Sequence, residues 1–187
     1  DRDQKSSLIA DKFKSKFKDR FEFYNKKFSE IDSINYNERI KGIIFDLGFS
    51  LNQIKDSSKG LSFAHKGKLN MRMGCNKFSA QDIVKKLSAN NLEKIFKFFG
   101  EEKNSKLIAK KVVSLRKNKD ILTEDLVDII NSTKKNFTRI NKATKVFQAL
   151  RIVVNQEISE LILGLSKSCN LISDNGVIAT VTFHSIE

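Results

Sequence analysis

The stretch Gly42-Ile43-Ile44-Phe45-Asp46 is a continuous apolar run that ends in an acidic side chain, and Leu47-Gly48 follows it. Strands of parallel sheets are apolar along their whole length because both of their faces are buried. The carboxyl ends of such strands are where α/β proteins place groups that bind ligands. We therefore predict a buried parallel strand here, with Asp46 at the ligand-binding edge of the sheet.

The residues before this strand predict one helix and one short strand. Apolar side chains recur at helical spacing over residues 4–17 and predict a helix there. Two acids, Asp1 and Asp3, precede it, where carboxylates suit the positive end of a helix. Residues 21–24 are a strand candidate. The predicted core face of the helix consists of Leu8, Ile9, Phe13 and Phe17.

A helical block is predicted over residues 79–133. Its first helix starts at Ser79-Ala80-Gln81-Asp82, which has the pattern of a capping box. Gly100 can end a helix, and Thr123-Glu124-Asp125 can begin another. Residues 134–145 are predicted to form a basic, polar connector.

The last part of the chain predicts one long helix and a final strand. Residues 147–165 have the apolar spacing of a single amphipathic helix of about 20 residues. A turn is predicted at Asp174-Asn175-Gly176, and residues 177–183 alternate large and small side chains as a strand does. Strands that alternate with helices favour an α/β fold, in which the helical block is an insertion.

The composition leaves the type of partner open. The chain has 187 residues and a formal net charge of +13, which suits a polyanion such as RNA. The basic residues are mostly Lys, however, and Pro is absent, a bias that an AT-rich genome produces without selection for binding. Charge alone therefore does not decide whether the protein binds a nucleic acid.

The sequence predicts neither a metal centre nor a membrane span. Cys75 and Cys169 are far apart and have no metal-binding spacing, and His65 and His184 form no ligand cluster with them. We expect two free thiols in a reducing compartment. No apolar run approaches the roughly 20 residues that a membrane helix needs.

Four stretches, in this order along the chain, carry a resemblance to a known family. They are Asp46-Leu47-Gly48-Phe49-Ser50 with Gln53, Leu61-Ser62-Phe63 with residues 68–73, Phe147-Gln148-Ala149-Leu150-Arg151-Ile152 with Asn155 and Glu157, and Phe183-His184-Ser185-Ile186-Glu187. Together they resemble the RsmH (MraW) family of 16S rRNA (cytosine-N(4)) methyltransferases.

The resemblance implies an α/β fold, a partial class I (Rossmann-like) methyltransferase sheet with an inserted helical domain. It implies methyl transfer from S-adenosyl-L-methionine to a cytosine amine of 16S ribosomal RNA in the small ribosomal subunit, in the cytoplasm, with an organellar location left open. The expected domains are residues 1–74, 75–143 and 144–187. The family's Gly-rich cofactor loop would precede Asp1 and its C-terminal part would follow Glu187, so we expect residues 1–187 alone to be inactive.

The resemblance also assigns cofactor-binding residues. Asp1 would accept the ribose hydroxyl hydrogens, Phe28 would line the adenine pocket, and Asp46 and Gln53 would contact the cofactor. Asp46 is in addition the candidate catalytic residue, as an acceptor for the cytosine amine. The structural alternatives are a helix cap for Asp1, core packing for Phe28 and an ordinary polar loop residue for Gln53.

Basic and polar residues near the matched motifs are candidates for RNA binding. The set comprises Arg72, Lys142, Lys145, Arg151 and His184. A solvated surface role is the alternative for each lysine, and a structural role is the alternative for His184. We expect no metal ion at any of these positions.

The chain departs from the family pattern at several positions. Asn70 stands where the family usually has Asp, and Gly74 where a further acid is usual. Leu51-Asn52 replaces Ser-Pro, and Asn141-Lys142 replaces His-Pro. The loss of the charge at residue 70 bears most directly on how the target nucleotide is held.

Two other functions remain as alternatives, a non-catalytic basic RNA-binding protein and a methyltransferase that acts on DNA. Methyl-donor binding would separate the first alternative from the enzyme. The fold class also makes a structural prediction. Residues 42–46 and 177–183 should pair directly in parallel, whereas residues 21–23 should have no neighbour in the sheet.

Overall fold

The computed structural model describes residues 1–36, 39–74, 76–133 and 141–187. The prediction of a free thiol at Cys75 lies outside the described residues. The same holds for most of the predicted connector, residues 134–140.

The fold is mixed α/β and mostly helical. The helices and strands, in chain order, are α1 (Ser6–Phe17), β1 (Ile40–Asp46), α2 (Leu51–Lys55), α3 (Ala80–Lys86), α4 (Ala89–Phe98), α5 (Ser105–Leu115), α6 (Thr123–Thr133), α7 (Thr144–Asn155), α8 (Glu157–Leu171) and β2 (Ile172–Val181). Short 3₁₀ helices occupy Lys18–Arg20, Phe28–Ser33 and Ser57–Lys59. None of the described helices is both long and apolar enough to cross a membrane.

The two strands pair in parallel, as predicted. The prediction that β1 is buried on both faces is wrong, because Ile43 and Phe45 are buried whereas Ile44, on the other face, is 75% exposed. The register runs without interruption from Gly42 opposite Val177 to Asp46 opposite Val181. The strand candidate at residues 21–24 is wrong, because no strand forms there within the described residues. These residues have no neighbour in the described sheet, as predicted. The predicted turn lies inside the range of β2, where the register slips and Asn175 has a left-handed φ of 63°.

The chain packs into two compact units. One unit contains residues 1–48 and 156–187, and the other contains residues 49–155. The predicted helical insertion, residues 75–143, falls within the second unit. Its limits stay a prediction, because compact packing does not show where an inserted domain begins.

The unit of residues 1–48 and 156–187 has a small core beneath one face of the strand pair. Ile43, Phe45, Leu47 and Leu161 are its buried members. The ring of Phe28 meets the ring of Phe45 edge to face, with 5.0 Å between centroids. Gly164 lets α8 approach these rings, since a Cβ there would lie 2.9 Å from Phe28 Cβ and 3.0 Å from Phe45 Cε1.

The unit of residues 49–155 has a larger core formed mainly by α3 to α7. The predicted capping box is confirmed at the start of α3, where Ser79 and Asp82 exchange side-chain and backbone hydrogen bonds. Gly100 follows α4, and a Cβ there would lie 2.4 Å from the Lys145 carbonyl oxygen. A glycine is therefore required for the close approach of these two segments.

Two predictions about helices are wrong. Residues 147–165 do not form one helix, because Gln156 adopts a left-handed conformation with φ 53° and ends the regular hydrogen bonding between α7 and α8. The predicted core face of α1 is also wrong. Leu8, Ile9 and Phe13 are 70%, 48% and 45% exposed, because the described residues do not cover that face.

A buried carboxylate holds α8 against the 3₁₀ helix Phe28–Ser33. Glu160 is 6% exposed, it accepts a hydrogen bond from the Ser29 N–H at 3.1 Å, and it lies 3.5 Å from the Lys27 amine. Burial alone would raise the pKa of Glu160. The hydrogen bonds from Ser29 and the charges of Lys27 and Arg2 outweigh that effect and lower the pKa below its ordinary value of 4.5.

We predict that Glu160→Gln lowers the free energy of unfolding by about 1–3 kcal/mol at pH 7, because the Ser29 N–H and Lys27 lose a charged acceptor. A lowered carboxyl pKa contributes stability that is lost as the pH falls through the folded-state value. The difference between the two proteins should therefore shrink below pH 4.5. Thermal unfolding from pH 7 to pH 3 measures it, with Glu93→Gln on α4 as the control. A difference that stays constant over this range would contradict the assignment.

Candidate functional site

The carboxyl edge of the strand pair carries the candidate catalytic acid. Asp46 is the last residue of β1 and is exposed. Within the residues that the structure describes, no hydrogen bond or ion pair engages its carboxylate, so both oxygens can accept hydrogens from a ligand. The residues after β2 leave the sheet at the same edge, since Asp46 pairs with Val181. This geometry is what the sequence predicts for a ligand-binding edge.

His184 lies between two carboxylates at the end of the chain segment that follows β2. Its Nε2 atom is 3.0 Å from Glu187 Oε1, and its side chain is 15% exposed. The other Glu187 oxygen accepts the Phe183 N–H at 2.9 Å. Ligand atoms of Glu157, His184 and Glu187 all lie within 4.8 Å of one another.

These three side chains have donor atoms that could hold a divalent cation. Distances of this size also occur between side chains of an ordinary hydrogen-bonded cluster that holds no ion. The expectation that the protein uses no metal stays a prediction. The proposed contact of His184 with RNA also stays a prediction, for a side chain that is mostly buried and next to carboxylates.

The two N-terminal cofactor candidates have structural contacts. Asp1 Oδ1 accepts the Asp3 N–H at 2.8 Å, and Asp1 Oδ2 accepts the Ser6 hydroxyl at 3.0 Å. Both oxygens therefore support the turn that leads into α1. Phe28 packs on Phe45 in the small core and is half-buried. The packing of Phe28 agrees with its structural alternative, whereas Asp1 does not act as the cap of α1, whose N-cap residue is Lys5 without a side-chain capping bond. Both assignments to the cofactor stay predictions.

A single buried amide fixes the loop that precedes α3. Asn155 is 0% exposed. Its Oδ1 atom accepts the Met73 N–H at 2.8 Å and the Asn76 side-chain amide at 2.6 Å. Its Nδ2 atom donates to the Met71 carbonyl at 2.8 Å and to the Arg151 carbonyl at 2.9 Å. One side chain thus satisfies backbone groups on both sides of Arg72.

Arg72 is oriented within this loop. Its Nε donates to Asn70 Oδ1 at 2.8 Å and its Nη1 donates to the Asn76 carbonyl at 3.4 Å. The Asn70 amide in turn donates to the Ser58 carbonyl at 3.3 Å. An aspartate at position 70 could not make this last bond, because an ionised carboxylate has no donor. Asn70 therefore ties Arg72 to the segment around Ser58.

The remaining candidates in the second unit are only partly available for ligands. Gln53 is 8% exposed, and its Oε1 atom accepts the Ser50 N–H at 2.9 Å in a capping box. The Lys145 amine donates to the Glu101 carbonyl at 3.0 Å. The Arg151 guanidinium lies over the Phe49 ring, 4.9 Å from its centroid. Lys142 is half-buried at the start of the segment that leads into α7.

The structure therefore collects the candidates in two sets. Asp46, Phe28 and His184 belong to the unit that contains the strand pair, and Asp1 lies in that unit as well. Gln53 and the basic candidates Arg72, Lys142, Lys145 and Arg151 belong to the other unit. Sequence reasoning quoted Asn155 as part of a motif but did not predict its role. The sequence pattern that could have indicated this role is the position of Asn155, which directly follows apolar residues on a helix predicted to face the core.

A parallel strand pair with an acid at its carboxyl edge belongs to an α/β protein, and such proteins place ligand-binding groups at that edge. Comparison with known proteins identifies the protein family. The sequence profile of the MraW methylase family matches residues 1–187. The chain belongs to this family, which implies a Rossmann-like methyltransferase fold.

Curated relatives resemble the chain along its whole length. Proteins named ribosomal RNA small subunit methyltransferase H are 37% identical over 195 residues in Ehrlichia canis (strain Jake) and 39% identical over 195 residues in Persephonella marina (strain DSM 14350 / EX-H1). A relative of the same name from Bartonella tribocorum (strain CIP 105476 / IBS 506) is 37% identical over 190 residues. All of this chain is matched each time, and it spans 65%, 66% and 57% of these relatives.

We predict that Asn155→Ala lowers the free energy of unfolding by about 2–5 kcal/mol, because it leaves the buried Met73 N–H and Met71 carbonyl without their partner. Hydrogen exchange provides the local measurement. The Met73 amide should exchange faster, whereas the Met71 amide, which donates to the Lys59 carbonyl at 2.6 Å, should change less. Asn118→Ala, at an exposed position, is the control. Equal exchange at Met73 in the two variants would contradict the role of Asn155.

Proposed function

We propose that the complete protein containing this chain methylates the exocyclic amine of a cytosine in the 16S ribosomal RNA of the small subunit, with S-adenosyl-L-methionine as methyl donor. The observation that carries the proposal is the family match over residues 1–187. The names of the relatives support small-subunit ribosomal RNA as the substrate. A cytoplasmic site of action is part of the proposal.

The proposed architecture is a class I methyltransferase sheet in which β1 and β2 are neighbouring strands. Residues 75–143 are proposed as a helical domain inserted between residues 1–74 and 144–187 of the methyltransferase domain. The parallel register of β1 and β2 supports this arrangement. The helices α3 to α6 lie within the proposed insertion and are consistent with it.

The carboxyl edge of the strands is the proposed place of the cofactor and the target nucleobase. The exposed Asp46 carboxylate has two acceptor oxygens, which is what hydroxyl or amine hydrogens require. We propose that Asp46 contacts the cofactor and orients the cytosine amine. Asp1, Phe28 and Gln53 are proposed to complete the cofactor contacts.

Bound S-adenosyl-L-methionine supplies an electrophilic methyl group on a positively charged sulfur. The cytosine amine is a weak nucleophile, since its lone pair is delocalised into the ring. Asp46 can hold that amine in the attacking position and accept its proton, directly or through water, as the new C–N bond forms and the C–S bond breaks. A base inside a duplex is out of reach, so the target must be unpaired or flipped out.

The basic candidates are proposed to position the RNA through its phosphates. Arg72 is the best oriented of them, because Asn70 and Asn76 fix its guanidinium from two sides. Arg151, with its guanidinium against Phe49, and Lys142 and Lys145 are proposed as further phosphate contacts. His184 is proposed to line the nucleotide site from the end of β2.

The test uses the complete protein, labelled S-adenosyl-L-methionine and small ribosomal subunits that lack the modification. The proposal predicts label in 4-methylcytidine after digestion of the RNA to nucleosides. Cofactor binding without label in RNA would contradict the proposed substrate. RNA binding without any binding of the methyl donor would favour the first alternative, a non-catalytic RNA-binding protein. Label in DNA would favour the second alternative, a methyltransferase that acts on DNA.

We predict that Asp46→Asn lowers kcat/KM for methyl transfer by about 100-fold or more, because the amide is a poor proton acceptor and carries no charge. Asp174→Asn removes the same charge from an exposed position of β2 and is the matched control. Steady-state kinetics with small subunits measure both variants. If both retain the activity of the unchanged protein, Asp46 has no catalytic role.

We predict different effects for two substitutions of Asn70. Asn70→Ala removes the acceptor that orients Arg72 and should raise KM for the ribosomal substrate about tenfold. Asn70→Asp keeps an acceptor for Arg72, although it loses the bond to Ser58, and should keep KM close to that of the unchanged protein. The same kinetic assay measures them. An unchanged KM in Asn70→Ala would show that Arg72 does not hold the substrate.

A further inference from the structure

An exposed aromatic side chain with two lysine amines against its ring lies between the loop fixed by Asn155 and helix α3. Phe78 is 48% exposed. The Lys77 amine lies 5.5 Å from the ring centroid, and the Lys86 amine lies 5.6 Å from it. We call Lys77, Phe78 and Lys86 the Phe78 platform.

The core of the unit does not account for the position of Phe78. Helix α3 buries Ala80, Ile83 and Val84, and Phe78 belongs to neither the buried core nor the half-buried residues that pack on it. A single exposed apolar side chain is common and needs no special role. The two amines at the ring are the feature that separates Phe78 from an ordinary exposed side chain.

The surroundings of the platform are strongly basic. Residues 66–86 contain six basic residues and one acidic residue, Asp82. The Asp82 carboxylate is occupied locally, because Oδ2 accepts the Ser79 hydroxyl at 2.6 Å and the Ser79 N–H at 3.0 Å. Its other oxygen lies 3.7 Å from the Lys86 amine. The Lys85 amine is paired with Asp120 at 3.0 Å and adds little net charge. The amines of Lys77 and Lys86, with Arg72 in the adjoining loop, still favour an anionic ligand at the platform.

The platform is also connected to the proposed substrate loop. The Arg72 guanidinium donates to the carbonyl of Asn76, two residues before Phe78 along the chain. The loop itself is anchored on both sides of Arg72 by Asn155. A ligand held at Phe78 would thus be held at a defined place relative to Arg72.

We propose that the Phe78 platform binds an unpaired nucleotide of the RNA substrate. The base stacks on the Phe78 ring, and Lys77 and Lys86 turn from the ring to the adjoining phosphates. Bases in single-stranded segments present their faces to aromatic side chains, whereas bases in a duplex do not. This inference rests on the proposed function, since it takes RNA as the substrate.

The lysines do not block the ring against a base. Exposed lysine side chains are held weakly by an aromatic face, and the Lys86 side chain is 64% exposed. Replacement of an amine by a base frees the amine to neutralise a phosphate. A stacking aromatic and mobile cations are the combination that single-stranded nucleic acid requires.

The experiment compares the affinity of the complete protein for a short labelled single-stranded RNA and for a hairpin duplex of the same charge, by fluorescence anisotropy. Phe78→Ala should raise Kd for the single strand about tenfold, and Phe78→Trp should restore it. Phe98→Ala is the matched control, because Phe98 is 63% exposed and, among the described residues, one lysine amine, that of Lys97, lies at its ring, 5.8 Å from the centroid. The duplex affinity should not change in any of these variants.

The double variant Lys77→Ala/Lys86→Ala should weaken the binding of both RNAs. It should also reduce the slope of log Kd against log salt by about one to two, as expected for lost phosphate contacts. Equal Kd values for Phe78→Ala and Phe98→Ala would overturn the proposal. If Phe78→Ala lowers the affinity for the duplex as much as the affinity for the single strand, the proposal is also overturned, because stacking would then not be the cause.

Failure of the proposed function gives a different result. If the complete protein shows no methyl transfer but Phe78→Ala still weakens single-stranded RNA selectively, the platform stands and the enzymatic proposal falls. If methyl transfer is present and Phe78→Ala leaves both the single-strand Kd and the methylation KM unchanged, the platform falls and the enzymatic proposal stands.

Discussion

The backbone pairing of β1 with β2 is the interaction on which the first compact unit depends. It joins residues 42–46 to residues 177–181 in parallel, and it therefore brings together two parts of the chain that are separated by the whole second unit. Parallel strands cannot be joined by a tight turn and need a long connection. The pairing places Asp46 and the segment around His184 at one edge, so the candidate site exists only if this register forms.

A second constraint acts where the two units meet along the chain. Asn155 ends α7 with its amide buried in the loop around Arg72, and Gln156 then takes a left-handed conformation before α8 begins. A left-handed conformation is costly for a residue with a side chain. The surrounding packing must compensate for that cost. Directly before Gln156, the side chain of Asn155 is held by hydrogen bonds to Met71 and Met73.

Much of the fold could be predicted from local patterns. The apolar run that ends at Asp46 predicted a parallel strand, and the Ser79 capping box predicted the start of α3, because both depend on neighbouring residues only. The break at Gln156 could not be predicted, since the apolar spacing continues across it and the helix ends for reasons of tertiary packing. The exposure of α1 was missed for the same reason, because spacing shows an apolar face but not what covers it.

The candidate site was predictable in its parts and not in its connections. Asp46 could be placed at the sheet edge by topology, and Arg72 could be named from a motif. The bond from Asn70 to Arg72 and the bonds from Asn155 to the loop join residues that are close in space, and some of them are far apart in the sequence. The two lysines at Phe78 lie on a loop and a helix whose relative position only the structure gives.

The division of the chain has a consequence for folding during synthesis. The helical unit is one uninterrupted stretch, residues 49–155, whereas the strand-pair unit needs both residues 1–48 and residues 156–187. Local contacts form sooner than distant ones, so we expect the helical unit to fold first and to shorten the effective loop between the strands. Until β2 has been synthesised, β1 is an apolar strand with an open edge, and such edges promote aggregation. A chaperone would therefore benefit this protein most in the time between the synthesis of β1 and the synthesis of β2.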